Sequence, residues 1–394
     1  MRTMHIEKVI QQESSIDLDS LEPFASGGEG ELYLLANMPM LAPAPYDYCV
    51  KIYHADMLNE FRQRKISHLC SLYDAQKAIL SEKQFAIPIH LANDAQTRDI
   101  IGFAMRYAGE LPDLDEIAFS GSSYKEWNGK TLNDDDAFDL IMSLAAGVFN
   151  LHSHGVVLGD LKPDNVLYDF TAKIPIFVDL DSAKIGEFNC TAYTPDYLDP
   201  LIRAMPMVKD ELSQKDSYQY NTGSDIFSLA VIAYKLFVGN HPTMFRYLPR
   251  SKLEDALRKE EFYIKVLADP AHAANLGITI LDHPVNDSIK GRLKTIQSIY
   301  PLLYRFFENV FIEGKRINPL YLLHKDDPRH PEYKLNTGAG FQLQYNPTND
   351  VGIVARLMRS NLRIRTARTM SDSDAFKAYV NGLGVDYGKL VSGV

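Results

Sequence analysis

The 394-residue chain has few cysteines, a single tryptophan and a deficit of positive charge. Its three cysteines, Cys49, Cys70 and Cys190, fall at no paired metal spacing. Neither a disulfide framework nor a zinc site is therefore indicated, and a reduced, cytoplasmic setting is expected. Lys and Arg number 41 against 51 Asp and Glu, a formal charge of −10. That balance argues against a general nucleic-acid binder, whose footprint would be a basic surface. No window approaches 18 uninterrupted apolar residues, and Met1 to Glu7 lacks an apolar signal core, so no membrane span is expected. Internal repeats and low-complexity tracts are also missing.

With 46% hydrophobic residues, this length suffices for one large core or two to three smaller lobes. The most informative stretch is Leu158-Gly-Asp-Leu-Lys-Pro-Asp-Asn-Val-Leu167, a short loop between an amphipathic helix and a strand. A proline stiffens it, so Asp160, Lys162 and Asn165 leave one turn toward a common space. A phosphate ester and a metal ion would use all three: an aspartate to orient a hydroxyl, a lysine to neutralise phosphate oxygens, an asparagine oxygen to ligate Mg²⁺. The plainer alternative is a solvated turn, for which the same residue types are ordinary.

Other stretches narrow that choice. Leu21 to Leu35 holds two short apolar runs joined by Gly27-Gly-Glu-Gly30, read as a hairpin whose amides are free to approach phosphate oxygens or simply to turn. Tyr46 to Tyr53 reads as a strand with Cys49, Lys51 and Tyr53 on one face and Val50 and Ile52 on the other. Lysine amid apolar strand residues needs an anion unless it points to water from a sheet edge. A helix is predicted over Ala55 to Tyr73, and strands over Phe85 to Leu91 and Asp99 to Tyr107. Gly109 to Asn133 reads as a loop with a short helix.

The period of Phe138, Ile141, Val148 and Leu151 predicts a helix from Asp134 to His154, closed by Gly155. The Asp134 to Asp136 run suits the dipole at its start, and His152 and His154 read as packing or solvated residues. Ile174 to Lys184 is an apolar strand ending in Asp179 and Asp181; Asp179 could share a cation with Asn165, while Asp181 is read as shaping the turn. Ser224 to Val238 is apolar on nearly every face and predicts a buried helix. Asp225 must then accept backbone amides, either of its own helix or of a neighbouring loop. Two or three further helices are predicted over residues 251 to 312, and another over Val351 to Arg365. Arg356, Arg359, Arg363, Arg365 and Arg368 form an acid-free segment that could meet an acidic partner or phosphate, or lie on a solvated face.

Together these stretches resemble the protein kinases, from about Leu21 to Pro242 with a looser tail to about Pro319. The resemblance implies an α+β, two-lobed fold with a small antiparallel-sheet lobe and a larger, mainly helical one. Residues 1–20 would be an extension, 21–108 the small lobe, 109–330 the large lobe and 331–394 a second extension. It further implies Mg²⁺-dependent transfer of the ATP γ-phosphate to Ser or Thr hydroxyls of a protein substrate. Asp160 matches the catalytic aspartate and Lys162 its phosphate-contacting lysine. Asn165 and Asp179 match the metal ligands. ATP contacts would come from Gly27, Gly28, Gly30, Leu32, Lys51, the linker Met105, Arg106, Tyr107 and Ala108, and from Asn165, Leu167 and Asp179.

The match has departures. Leu158 and Gly159 stand where histidine and arginine usually precede the catalytic aspartate, so phosphorylation of Thr191, Tyr193 or Thr194 is not expected to be required for activity. A glutamate to pair with Lys51 is unclear: Glu60 comes early, and Gln63 or a rearranged helix would have to substitute. Leu201 replaces the glutamate after Asp199-Pro200, so the usual ion pair of the large lobe is expected to be missing. Gly159-Asp160 also resembles kinases of small molecules such as aminoglycosides and choline, and a pseudokinase that binds nucleotide without turnover is the third reading.

Overall fold

The structure, a computed structural model, describes residues 3–6, 15–17, 21–35, 47–76, 80–210, 213, 215–243, 262–269, 271 and 284–323. The arginine-rich segment and the helix expected over Val351 to Arg365 lie outside them.

One seven-stranded antiparallel sheet forms the small lobe, in the order β2-β1-β6-β7-β5-β4-β3. Its strands are β1 (Thr3–Ile6), β2 (Ser15–Asp17), β3 (Ala25–Ser26), β4 (Gly30–Leu34), β5 (Tyr48–Tyr53), β6 (His90–Asp94) and β7 (Ile100–Arg106). Helix α1 (Glu60–Gln76) packs on one face. The alternation read in β5 decides which residues go where. Val50 and Ile52 join Met4, Tyr33 and Ala104 on one side, whereas Cys49 and Tyr53 meet Ile66 and Cys70 of α1 on the other. Lys51 shares that second side, and β5 is an interior strand between β4 and β7. The edge-strand alternative for Lys51 is thereby removed.

Two expectations shift. The strand predicted over Phe85 to Leu91 begins only at His90, because Gln84 and Ala86 pair instead with Phe177: Ala86 N donates to Phe177 O at 2.8 Å and Phe177 N to Gln84 O at 2.8 Å. The short helix expected between Gly109 and Asn133 is replaced by two hairpins of two-residue strands, Phe119–Ser120 with Ser123–Tyr124 and Glu126–Trp127 with Lys130–Thr131.

The larger lobe is mainly helical: α2 (Asp134–Ser153), α3 (Pro200–Arg203), α4 (Thr222–Val238), α5 (Tyr263–Ala268), α6 (Pro284–Ile299) and α7 (Pro301–Phe307). Asn133 caps α2 by accepting from Asp136 N, and Asn221 forms a capping box with Ser224 at the start of α4. The acidic run of α2 holds the lobe together in addition to serving the dipole. Asp134 pairs with Arg292, Asp135 accepts from Tyr300 at 2.7 Å, and Asp136 pairs with Lys173 at 2.8 Å. Phe227 and Tyr234 of α4 are fully buried against Phe262, Phe307 and Phe311, and Phe237 against Tyr300. Each such side chain contributes about 1.5–3 kcal/mol. Between the lobes lie β8 (Val166–Asp169) and β9 (Ile174–Phe177), an antiparallel pair that frames the loop at Asp160.

Candidate active site

The loop 158–165 is held from below by one carboxylate. Asp225, fully buried at the start of α4, accepts Leu158 N at 2.7 Å and Gly159 N at 2.8 Å, and His152 Nε2 lies 2.8 Å from the same carboxylate. Of the two acceptor roles open to Asp225, the neighbouring loop is the realised one. His152 is thus a working partner rather than packing.

Above this brace, Asn165 Nδ2 donates to Asp160 O at 2.9 Å, closing the turn and leaving the amide oxygen of Asn165 as the group able to ligate a cation. Asp160 Oδ1 is buried without a hydrogen-bond partner. A carboxylate oxygen in that position is costly unless a substrate hydroxyl supplies the missing donor. Lys162, three-quarters buried, has its ammonium 3.6 Å from Asp164. Val178 N donates to Asn165 O at 3.0 Å, which sets Asp179 beside the asparagine. Asp179 itself has φ 59°, a left-handed backbone that a non-glycine residue adopts at some cost.

Lys51 joins the two lobes here. Its ammonium, 9% exposed as a residue, meets Asp181 at 2.8 Å, Asp179 at 3.1 Å and Glu29 at 3.4 Å. Asp181 Oδ2 also accepts from the Tyr53 hydroxyl at 2.5 Å. Burial opposes the lysine's charge, yet the carboxylates of Asp181, Asp179 and Glu29 hold its ammonium above the ordinary lysine range. Against its own burial, Asp181 is held below the usual carboxylate range by Lys51 and Tyr53. Burial and then the Asp181 charge push Asp179 the other way.

Over this cluster the turn between β3 and β4 is closed by Gly27 N donating to Gly30 O at 2.9 Å. Space for a Cβ at Gly30 is taken by Ile52 O at 2.3 Å, so strand crossing demands glycine there. Gly27 and Gly28 instead have no heavy atom within 4 Å of that position, so the tip of the turn is open. These residues fit a magnesium-bound triphosphate: an open glycine turn, a buried cation, an amide oxygen beside a part-exposed carboxylate, and an orphaned acceptor on Asp160.

The family model for the protein kinase domain matches residues 96–279. The fold is that of a protein kinase. The chain is similar to serine/threonine-protein kinase pkn2 of Myxococcus xanthus, 22% identical over 233 residues, 56% of this chain and 24% of that protein. It is also similar to calcium/calmodulin-dependent protein kinase type 1 of Caenorhabditis briggsae, 31% identical over 192 residues, 47% of this chain and 42% of that one. The Aurora kinase of Yarrowia lipolytica is 24% identical over 169 residues, with 41% and 42% covered. The chain therefore spans less than half the length of these curated relatives.

Three places where this kinase fold departs from the family pattern now have physical accounts. The partner of Lys51 is neither Glu60, which is exposed, nor Gln63, whose Nε2 donates to Ile100 O at 3.2 Å. It is Asp181, which sequence reasoning left as a turn residue; the only signal for it was a second acid two positions after Asp179. Second, the ion pair expected to be missing from the large lobe is present, because Asp199 rather than residue 201 supplies the carboxylate to Arg316. Third, Gly159 has φ +73°, and a Cβ there would lie 2.8 Å from both Cβ and Sγ of Cys190. Cys190 fills the space beside the loop that an arginine at 159 would need.

Met105 is buried, and Arg106 sends its guanidinium back to the carbonyls of Glu82, at 2.8 Å, and Lys83. Arg106 thus offers the cleft only its backbone. Tyr107 N is taken by Asp47 O at 2.8 Å. Leu32 of β4, Tyr107 and Val178 pack against the apolar cluster that includes Met105, and Leu167 of β8 stands opposite Ile176.

Proposed function

We propose that this chain is a Mg-ATP-dependent protein kinase that phosphorylates serine or threonine hydroxyls of protein substrates. The observation that carries the reading is one continuous run of contacts: Lys51 to Asp179, Val178 to Asn165, Asn165 to Asp160, and the loop to Asp225. Residues from remote parts of the sequence meet as phosphoryl transfer requires, where positioning and charge stabilisation supply most of the catalysis.

In this reading, Asn165 and Asp179 hold Mg²⁺, which when bound neutralises the phosphate oxygens. Lys51 and the amides of residues 27–30 position the phosphates, and Lys162 offsets charge on the transferred group. Leu32 and Leu167 enclose the base beside the linker backbone of Met105 to Ala108. Asp160 orients the acceptor hydroxyl and takes its proton as that oxygen bonds to the γ-phosphorus and the bond to ADP breaks. The small lobe is assigned to residues 21–108 together with Thr3–Ile6 and Ser15–Asp17, which join its sheet through β6 instead of forming a separate extension, and the large lobe to 109–330. A cytoplasmic setting belongs to the same reading, supported by three buried cysteines that are all free.

The test is transfer of labelled phosphate from Mg-ATP to generic protein substrates by the wild type, Asp160→Asn and Asp179→Asn. Wild-type transfer with a loss on the order of a hundredfold or more in each variant is expected. Nucleotide binding without turnover would replace this reading with a pseudokinase, and transfer only to a metabolite with a small-molecule kinase.

A further inference from the structure

Lys51 has three ammonium protons and three carboxylates around it. No donor is left for a phosphate oxygen until one carboxylate leaves. Asp181 is the least able to go: its side chain is 2% exposed and it also holds the Tyr53 hydroxyl. Asp179 is the carboxylate assigned above to the metal. Glu29 remains, with its side chain 41% exposed on the turn between Gly28 and Gly30.

Glu29 does more than touch Lys51. While Oε2 faces Lys51 at 3.4 Å, Oε1 accepts from Arg62 Nη2 at 2.8 Å. Arg62 reaches in from α1, its side chain only 13% exposed and its guanidinium 4.6 Å from the Tyr53 ring centre. A carboxylate is thus spread across two fixed cations directly under the open glycine turn. Lys51 and Arg62 carry two positive charges against three negative ones on Glu29, Asp179 and Asp181. Further anionic groups meet repulsion in such a cluster, which the departure of a resident carboxylate relieves.

We propose that Lys51 and Arg62 together form the phosphate-binding site of this cleft, and that Glu29 is its built-in occupant, displaced when a nucleotide's phosphates arrive. The inference rests on the kinase reading for the identity of the ligand but on geometry alone for the anion site. Arg62 then acts as a second phosphate-binding cation supplied by α1, and Glu29 as a competitor that every phosphate ligand must outbid.

Calorimetric titration of the full chain with Mg²⁺ and a non-hydrolysable ATP analogue, and separately with tripolyphosphate, tests this. Glu29→Gln should tighten both ligands about two- to fivefold, the equivalent of one exposed ion pair. Arg62→Met should weaken both about tenfold, and Arg62→Lys, which keeps charge but not the fork, should fall between. Unchanged or weaker binding in Glu29→Gln overturns the proposal, as does wild-type affinity in Arg62→Met. If Arg62→Met fails to fold, Arg62→Lys decides, and wild-type affinity there has the same force. The expected pattern with tripolyphosphate but no nucleotide binding would leave the anion site standing and remove the kinase reading. Nucleotide binding and turnover with neither ligand sensitive to Glu29 would do the reverse.

Discussion

Arg316 grips Asp199 with two parallel hydrogen bonds, Nε to Oδ2 at 2.7 Å and Nη2 to Oδ1 at 2.8 Å, and both side chains are almost wholly buried. The same aspartate caps α3 by accepting Leu201 N at 2.9 Å. Removing it strands a buried guanidinium. Asp199→Ala should cost about 3–5 kcal/mol in urea unfolding, and Asp199→Ala combined with Arg316→Met less than the sum of the two single changes. Additive losses would show that the two side chains are not coupled.

Lys51 and Asp181 give a sharper version of the same logic. Lys51→Met leaves the Asp181 carboxylate enclosed with Tyr53 but without its cation, a loss of about 3 kcal/mol or more. Adding Asp181→Asn to Lys51→Met should recover part of that stability, since the orphaned charge is removed. Thermal melts of the wild type, Lys51→Met and the double variant would measure it. A double variant less stable than Lys51→Met would show that Asp181 is not held by Lys51.

At Gly159 the backbone and its neighbour both resist a side chain. Gly159→Ala should destabilise by about 1–3 kcal/mol, from the positive φ and the contact with Cys190. Because that space is filled, position 159 cannot supply the arginine that would receive a phosphorylated residue from 191 to 194. The Thr191→Val, Tyr193→Phe and Thr194→Val variants should therefore keep the wild-type initial rate with Mg-ATP. Loss of activity in these variants, restored by a phosphomimetic, would contradict this.

His241 makes stability depend on pH. Its ring, fully buried, donates from Nε2 to Asp196 O at 2.9 Å and accepts at Nδ1 from the Thr243 hydroxyl at 2.8 Å. Burial pushes the imidazole from 6.5 down to about 4; the Asp196 carbonyl opposes this and the Lys235 charge adds to it. Below pH 6.5 the unfolded chain takes up a proton that the folded one resists. Stability from this residue is therefore complete above pH 6.5 and declines between 6.5 and about 4, by up to about 3 kcal/mol. Urea midpoints at pH 7.5 and 5 should separate further in the wild type than in His241→Gln; equal separations would show that His241 contributes none of the slope.

What was legible in the sequence was what local pattern dictates. An aspartate at the head of an apolar helix had to find amide donors, and Asp225 found them in the loop at Leu158 and Gly159. Alternation placed Lys51 on the face of β5 that meets α1. Illegible were the pairings fixed only by tertiary approach. Asp181 and Lys51 lie 130 residues apart, and Asp199 and Arg316 lie 117 apart. Neither acid sits at a helical or strand spacing that names its partner. The hairpins between Phe119 and Thr131 escaped for another reason, since strands of two residues are too short to show a period.

Phe177 pairs with Gln84 and Ala86 through two backbone hydrogen bonds and stacks on Phe85 at 5.5 Å, two positions before Asp179. The backbone that carries Asp179 is therefore tied to the segment entering the sheet twice over, by these bonds and by the ion pair of Asp179 with Lys51.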